Sequence, residues 1–189
     1  MTFDLRLLLL LLLAGQTVEG GEIRFSLRDT AGAVHTSADW GGARAVVVFF
    51  VMPDCPISQG YVPEMNRIAT GFVSRGVKVY GVQTDVQANA SDVRRHVAEF
   101  KYEFPVLIDP EQILVRHTGA TITPEAVVMA PDARVLYRGR IDNRIVSFGT
   151  RRPQATERDL RTSLDAVLAS RPVARPRTTA VGCIIPRRD

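Results

Sequence analysis

Cysteine is scarce in this chain of 189 residues: Cys55 and Cys183 are the only two. With three histidines, His35, His96 and His117, they show no ligand spacing that marks a metal site. Lysine is scarcer than its charge suggests, occurring at Lys78 and Lys101 alone, so the net charge of +4 rests on arginine. Many of the arginines come late, from Arg138 to Arg188, broken up by prolines and acids and not interleaved with aromatics. That pattern argues against a nucleic-acid platform and for a solvated basic face that steers toward an acidic partner. Long apolar runs are missing too. The N-terminal one, Leu7 to Leu13 after Arg6, falls well short of the roughly 20 residues that a bilayer requires.

That short run reads as a secretory leader over residues 1–20, cut between Gly15 and Gly20. Asp4 dilutes its positive start and no clean A-x-A precedes a cut, so the position stays open; an uncleaved short anchor is the alternative. No cysteine follows the run, so a lipid anchor is not expected. Export to the periplasm or outside of a bacterium, with no membrane span left after cleavage, would place both cysteines where an even count can pair.

The rest divides into a domain over 21–170 and a Pro/Arg-rich tail over 171–189 that carries Cys183. Within the domain, Glu22 to Leu27 alternates like a strand, and Ala45 to Met52, "AVVVFFVM", is the continuous apolar run of a strand covered on both faces. Helical spacing continues over Ser58 to Ser74, with Pro63 in its first turn. Next come a strand at Val77 to Gln83, a short helix capped by Ser91, a strand at Pro105 to Ile108, and a helical stretch at Glu111 to His117 closed by Gly119. Glu125 to Met129 and Val135 to Tyr137 form a hairpin around Pro131 to Arg134, hence an antiparallel edge. Ile145 to Ala155 reads as an irregular insertion, and Glu157 to Ser170 as a final amphipathic helix. Strand and helix alternate, so the expected class is α/β: a central mixed sheet flanked by helices on both faces.

Cys55 is expected just past the end of the buried strand and at a helix start. The free N–H groups and dipole there favour a thiolate, whereas Asp54 opposes a second negative charge. Thr123-Pro124 stands at the start of a strand, where a cis peptide bond can set a tight turn. Other polar residues have plainer readings. Ser58 satisfies a helix-start N–H, Glu64 offsets the dipole, His96 and His35 are solvated, His117 lies at a helix C-terminus, Trp40 packs under the sheet, and Asp142 and Asn143 sit in a surface loop.

With "FFVMPDCPIS", "TPEAVVM" and "YRGRIDN" in view, the chain resembles the thioredoxin-like superfamily over Glu22 to Ser170, and within it the redoxin branch of alkyl hydroperoxide reductases and thiol-specific antioxidants. It is similar to exported members carrying C-P-I-S-x-x-Y-x-P-E near the front and G-C-x-I at the end, matched by Cys55, Tyr61, Pro63 and Glu64 and by Gly182, Cys183 and Ile185. The resemblance implies that Pro124 is cis and faces a reactive Cys55. The departures matter as well. Ser58 stands where thioredoxins have a second cysteine, and Val48 and Met52 stand where peroxiredoxins have the Pro and Thr of P-x-x-x-T-x-x-C. Residue 59 is Gln, so the C-x-x-x-C of the copper chaperones is missing.

The expectation is an exported thiol–disulfide oxidoreductase with Cys55 as nucleophile, Pro124 shaping the groove and Cys183 returning as the resolving thiol. Its partners would be protein thiols and disulfides or a redox donor protein, with no organic cofactor. Three alternatives stay open at this point: a peroxidase taking peroxide at Cys55, a purely structural Cys55–Cys183 disulfide, and a non-catalytic scaffold or Cu(I) carrier using both thiols and a histidine.

Overall fold

The computed structural model describes residues 23–188. The expected leader, residues 1–20, lies outside them. No helix among the described residues is long and apolar enough to cross a membrane.

In chain order the elements are β1 (Ser26–Arg28), β2 (Val34–Thr36), a 3-10 turn (Ser37–Trp40), β3 (Ala45–Val51), α1 (Pro56–Val73), β4 (Val77–Gln83), α2 (Ala90–Phe100), β5 (Val106–Ile108), α3 (Ile113–Thr118), β6 (Ile122–Thr123), β7 (Glu125–Met129), β8 (Val135–Gly139), β9 (Ile145–Ser147), β10 (Thr150–Arg151), α4 (Asp159–Leu168) and β11 (Cys183–Ile184). The main sheet runs β5-β4-β3-β7-β8: parallel on the β5-β4-β3 side, antiparallel from β3 through β7 to β8. This is the mixed α/β sheet that the apolar pattern calls for. β3 is central because all seven of its residues are apolar and buried, so neither face can meet water.

The pleat splits the core into two layers. Val47, Phe49 and Val51 point toward α1 and α4, meeting Tyr61, Met65, Ile68, Phe72, Leu160 and Leu164. Val46, Val48 and Phe50 point the other way, toward α3 and the N-terminal segment with Phe25 and Trp40. Trp40 packs against Phe25 with the rings tilted at 56° and 5.2 Å between centroids, a packing residue as its setting suggested.

Several boundaries move for identifiable reasons. α1 begins at Pro56, not Ser58, because proline suits the first helical position and Cys55 takes the N-cap. Pro63 is thereby inside the helix and cannot donate to the Gln59 carbonyl. Asn89, not Ser91, caps α2: its Oδ1 accepts from the Ser91 and Asp92 N–H groups at 3.0 and 2.9 Å. The stretch from Ile145 contains a small antiparallel hairpin, β9-β10, turned by Gly149 in the left-handed region. Strands of two and three residues are too short to show a period.

His96 is buried on α2, against Phe100 and Tyr102, because the chain folds back at Lys101. Burial pushes its pKa down. His35 is not solvated either: it lies in β2 and bonds the Asp29 carboxylate at 2.8 Å. His117 does sit in the last turn of α3, bonded to the Ala133 carbonyl.

Glu64 lies mid-helix, not in a first turn, and is 7% exposed. It ties α1 to α4 through Arg161 at 2.8 Å and bonds Arg67 at 2.7 Å. Burial alone would raise its pKa, but the two guanidiniums overcome that and hold it below the ordinary value of 4.5. A depressed carboxylate contributes stability above its unfolded pKa and loses it as pH falls through the folded one. Glu64→Gln should therefore cost about 1–3 kcal/mol at neutral pH. Urea unfolding of both proteins across pH should show that gap shrinking once the pH drops below 4.5.

Candidate functional site

β3 ends at Val51 and the chain turns through Met52, Pro53 and Asp54 into α1. The Cys55 N–H donates to the Met52 carbonyl at 3.2 Å, which closes that turn and leaves Cys55 as N-cap with extended backbone angles. Its side chain is 0% exposed. Cys55 thus stands at the positive end of an 18-residue helix, whose dipole favours negative charge there, while its sulfur accepts no hydrogen bond from the first-turn N–H groups.

Opposite stands the loop before β7. Thr123-Pro124 is cis, as the resemblance implies. The Thr123 carbonyl oxygen lies 3.1 Å from the Cys55 Sγ. When that sulfur is a thiol it can donate to this oxygen, which favours the protonated form; the helix N-terminus pulls the other way.

Cys55 is joined to Cys183 in a disulfide, with Cα atoms 5.9 Å apart across 128 positions. The tail reaches it through a series of noncovalent supports. Arg175 pairs with Glu157 and Asp159 at 3.0 and 2.9 Å. The Arg138 N–H donates to the Pro176 carbonyl, and the Thr178 N–H to the Arg138 carbonyl. The Tyr137 hydroxyl donates to the Arg140 carbonyl, so its 2.6 Å bond with Thr178 Oγ1 uses the threonine's proton. Gly139 lets Thr178 lie this close: a Cβ there would overlap it.

Past these anchors, β11 pairs antiparallel with β6, Cys183 opposite Thr123 and Ile184 opposite Ile122. The Ile185 N–H donates to the Thr121 carbonyl at 2.9 Å, and the Ile185 side chain is buried. Gln112 grips the chain end beyond it. Its Nε2 donates to the Pro186 carbonyl and to the Thr84 carbonyl, and its Oε1 accepts from the Arg188 N–H. Arg188 also pairs with Glu111. Of the late arginines, Arg175 and Arg188 pair with acids to hold the tail, and the side chains of Arg138, Arg140, Arg144 and Arg161 bond within the domain; Arg151, Arg152, Arg158, Arg171, Arg177 and Arg187 are exposed, so part of the expected basic face does meet solvent.

Tyr61 and Asp142 are the site residues that the sequence hid. The Tyr61 hydroxyl donates to Asp142 Oδ1 at 2.6 Å, and the Arg144 guanidinium stacks over the Tyr61 ring at 4.7 Å. Burial, reinforced by the Asp142 carboxylate, pushes the Tyr61 pKa up. Asp142 and Asn143 are buried, not in a surface loop. Asn143 Oδ1 accepts from the Thr156 and Glu157 N–H groups, so the two polar side chains hold a turn that has no strand neighbour to satisfy it. The signal was available in part, because Tyr61 belongs to the motif that starts at Cys55 and Asp142 to "YRGRIDN", but their contact spans 81 positions.

Ser58, expected to bond a helix N–H, is buried with a hydroxyl that completes no hydrogen bond; burial pushes the pKa of nearby Tyr102 up, an effect the Ser58 hydroxyl only partly opposes. Val48 is wholly buried and Met52 half-buried, and neither offers a hydroxyl to a peroxide. The Cu(I) reading requires a histidine beside the two sulfurs, whereas all three histidines make their own contacts elsewhere. Among the described residues no three His, Cys, Asp or Glu side chains are grouped to hold a metal.

A groove of about 330 Å³ runs between the start of α1 and the β9-β10 hairpin, lined by Pro56, Ile57, Tyr61, Arg144, Ile145 and Arg151 among others. The tip of that hairpin exposes Val146 and Phe148.

Comparison with known proteins places this geometry in context. The model of the AhpC/TSA family matches residues 22–138. A hypothetical protein from Sinorhizobium meliloti is similar at 27% identity and a TM-score of 0.75, over 89% of this chain and 93% of that one. An uncharacterized conserved protein from Geobacillus kaustophilus gives 24% identity and 0.75, over 89% and 90%. A secreted Mycobacterium tuberculosis disulfide oxidoreductase gives 19% and 0.54, over 77% and 95%, which shows a shared thioredoxin-like fold. Among curated proteins nothing matches.

Gly182 tests the geometry directly. A Cβ there would overlap the Thr123 carbonyl, a backbone atom that cannot rotate away. Gly182→Ala should lift β11 from β6, at a cost of about 1–3 kcal/mol. Refolding of the reduced variant under air should leave Cys55 and Cys183 alkylatable for longer than in the parent.

Proposed function

The chain belongs to the AhpC/TSA family, and we propose that it works as an exported thiol–disulfide oxidoreductase whose exchanging pair is Cys55 and Cys183. The observation that carries this reading is the pairing itself: a cysteine at the N-terminus of α1, bonded to a second one delivered by the tail onto the strand next to Pro124. In thiol–disulfide exchange a thiolate attacks a disulfide sulfur and expels the other sulfur as a thiolate. The helix N-terminus suits Cys55 to be the thiolate of the pair, as nucleophile when reduced and as leaving group when oxidised.

Cys183 supplies what Ser58 cannot, a second sulfur to close the disulfide. Pro124 lies one residue beyond the carbonyl that touches Cys55, at the wall of the site. Clients would be protein thiols and disulfides, with the groove along Pro56, Ile57 and Tyr61, at the start of the helix that Cys55 caps, open to an extended segment. The activity named for the Mycobacterium tuberculosis relative supports this reading, and the leader expected over residues 1–20 supports export. A peroxidase is disfavoured by Val48 and Met52, which cannot polarise a peroxide.

A redox titration in defined thiol–disulfide buffers, with free thiols counted by alkylation and mass, tests the proposal. The expected result is a reversible Cys55–Cys183 couple between roughly −120 and −270 mV, the range of exchange proteins. A bond that resists reduction below about −300 mV would make the pair a structural staple and sink the reading.

A further inference from the structure

The two sulfurs of the disulfide are not equivalent to an outside reagent. We infer that Cys183, not Cys55, is the sulfur through which the protein exchanges with external thiols; this rests on the exchange reading above and assigns the order of its steps.

Attack on a disulfide proceeds along the sulfur–sulfur axis, from the side opposite the sulfur that leaves. At Cys55 that approach is closed. The residue is 0% exposed, and the Thr123 carbonyl oxygen sits 3.1 Å from its Sγ, where it would also repel an incoming thiolate. At Cys183 the setting differs: this residue is half-buried, and its neighbour Ile184 is 77% exposed while Ile185 is buried.

The leaving group agrees with the access. When an outside thiolate bonds to the Cys183 sulfur, the electron pair of the broken bond goes to Cys55, whose thiolate is stabilised at the N-terminus of α1. The products are a mixed disulfide on Cys183 and a Cys55 thiolate. A second external thiolate then attacks the partner's sulfur in that mixed disulfide, which releases the external disulfide and leaves Cys183 as a thiolate. Oxidation runs the same path backwards. Cys183 first forms the mixed disulfide with an outside disulfide, expelling one outside thiolate; the Cys55 thiolate then attacks the Cys183 sulfur and expels the other.

Reduction does not open Cys55, because the supports on either side of Cys183 involve no sulfur. The Thr178 contacts precede it, and the bonds of Ile185, Gln112 and Arg188 come after it. The tail is a fixed strand that covers one cysteine and presents the other.

The test mixes the oxidised full chain with 2-mercaptoethanol at neutral pH, quenches in acid before the reaction completes, and maps the adduct by digestion and mass spectrometry. The expected adduct sits on Cys183 in about tenfold excess over Cys55. Reduced single-cysteine variants give a second readout with N-ethylmaleimide. Cys55 in Cys183→Ser should react about tenfold more slowly than Cys183 in Cys55→Ser, with the difference gone in concentrated urea. An adduct mainly on Cys55, or equal rates in the two native variants, overturns the inference and leaves the exchange reading standing. A disulfide that yields no adduct and no reduction removes the exchange reading itself, and this inference with it.

Discussion

Two residues of β11 lying along two residues of β6 decide where the second sulfur goes. The register sets Cys183 opposite Thr123, and the Thr123 carbonyl already touches the Cys55 sulfur. A slip of one residue would turn Cys183 to the other side of the strand and bring Ile184 to the cysteine. The pairing alone is too short to fix that register, so the structure fixes it from outside. Gly182 packs on the Thr123 carbonyl, Ile185 fills a buried position two residues on, and Gln112 and Thr178 hold the flanks.

The same need explains buried polar groups that would otherwise be costly. Gln112, Asp142, Asn143 and Glu64 are all buried, and each is bonded to backbone or to a charged partner. They secure irregular chain: the turn after β8, the tail, and the α1–α4 contact. Apolar side chains could fill such spaces but could not select one backbone path through them, since hydrophobic contact lacks direction. Asp109 does the same for α3, accepting from the Ile113 and Leu114 N–H groups at 2.9 Å each. Burial raises its pKa while those two bonds pull it down.

The sheet was legible in the sequence because burial on both faces writes itself as continuous apolar residues. Ala45–Val51 could be little else, and Val77–Gln83 and Glu125–Met129 can be read from local composition. The disposition of Cys55 at a strand end and helix start was legible for the same reason. The hidden parts depend on distant partners. A histidine on a polar-looking face reads as solvated until Phe100 and Tyr102 fold over it, and "DN" after a strand reads as loop until Tyr61 arrives from 81 positions away. Short strands such as β6 and β11 carry no period at all. That the tail could reach across the domain was a matter of length, whereas its landing place depends on a glycine, a glutamine and a threonine from separate segments.

The disulfide also changes how the molecule would bear a pull on its ends. It joins the close of the central strand β3 to the last strand, so tension entering from the N-terminal side passes through β3 to Cys55 and leaves through the disulfide into β11. The 127 residues between the cysteines, which hold all four helices and every strand of the main sheet but β3, form a closed ring off the line of force. Cutting the bond would place that ring in series with the rest, adding roughly 400 Å of extensible chain at about 3.3 Å per residue. One covalent link separates a short tether from a long one, and its oxidation state selects between them.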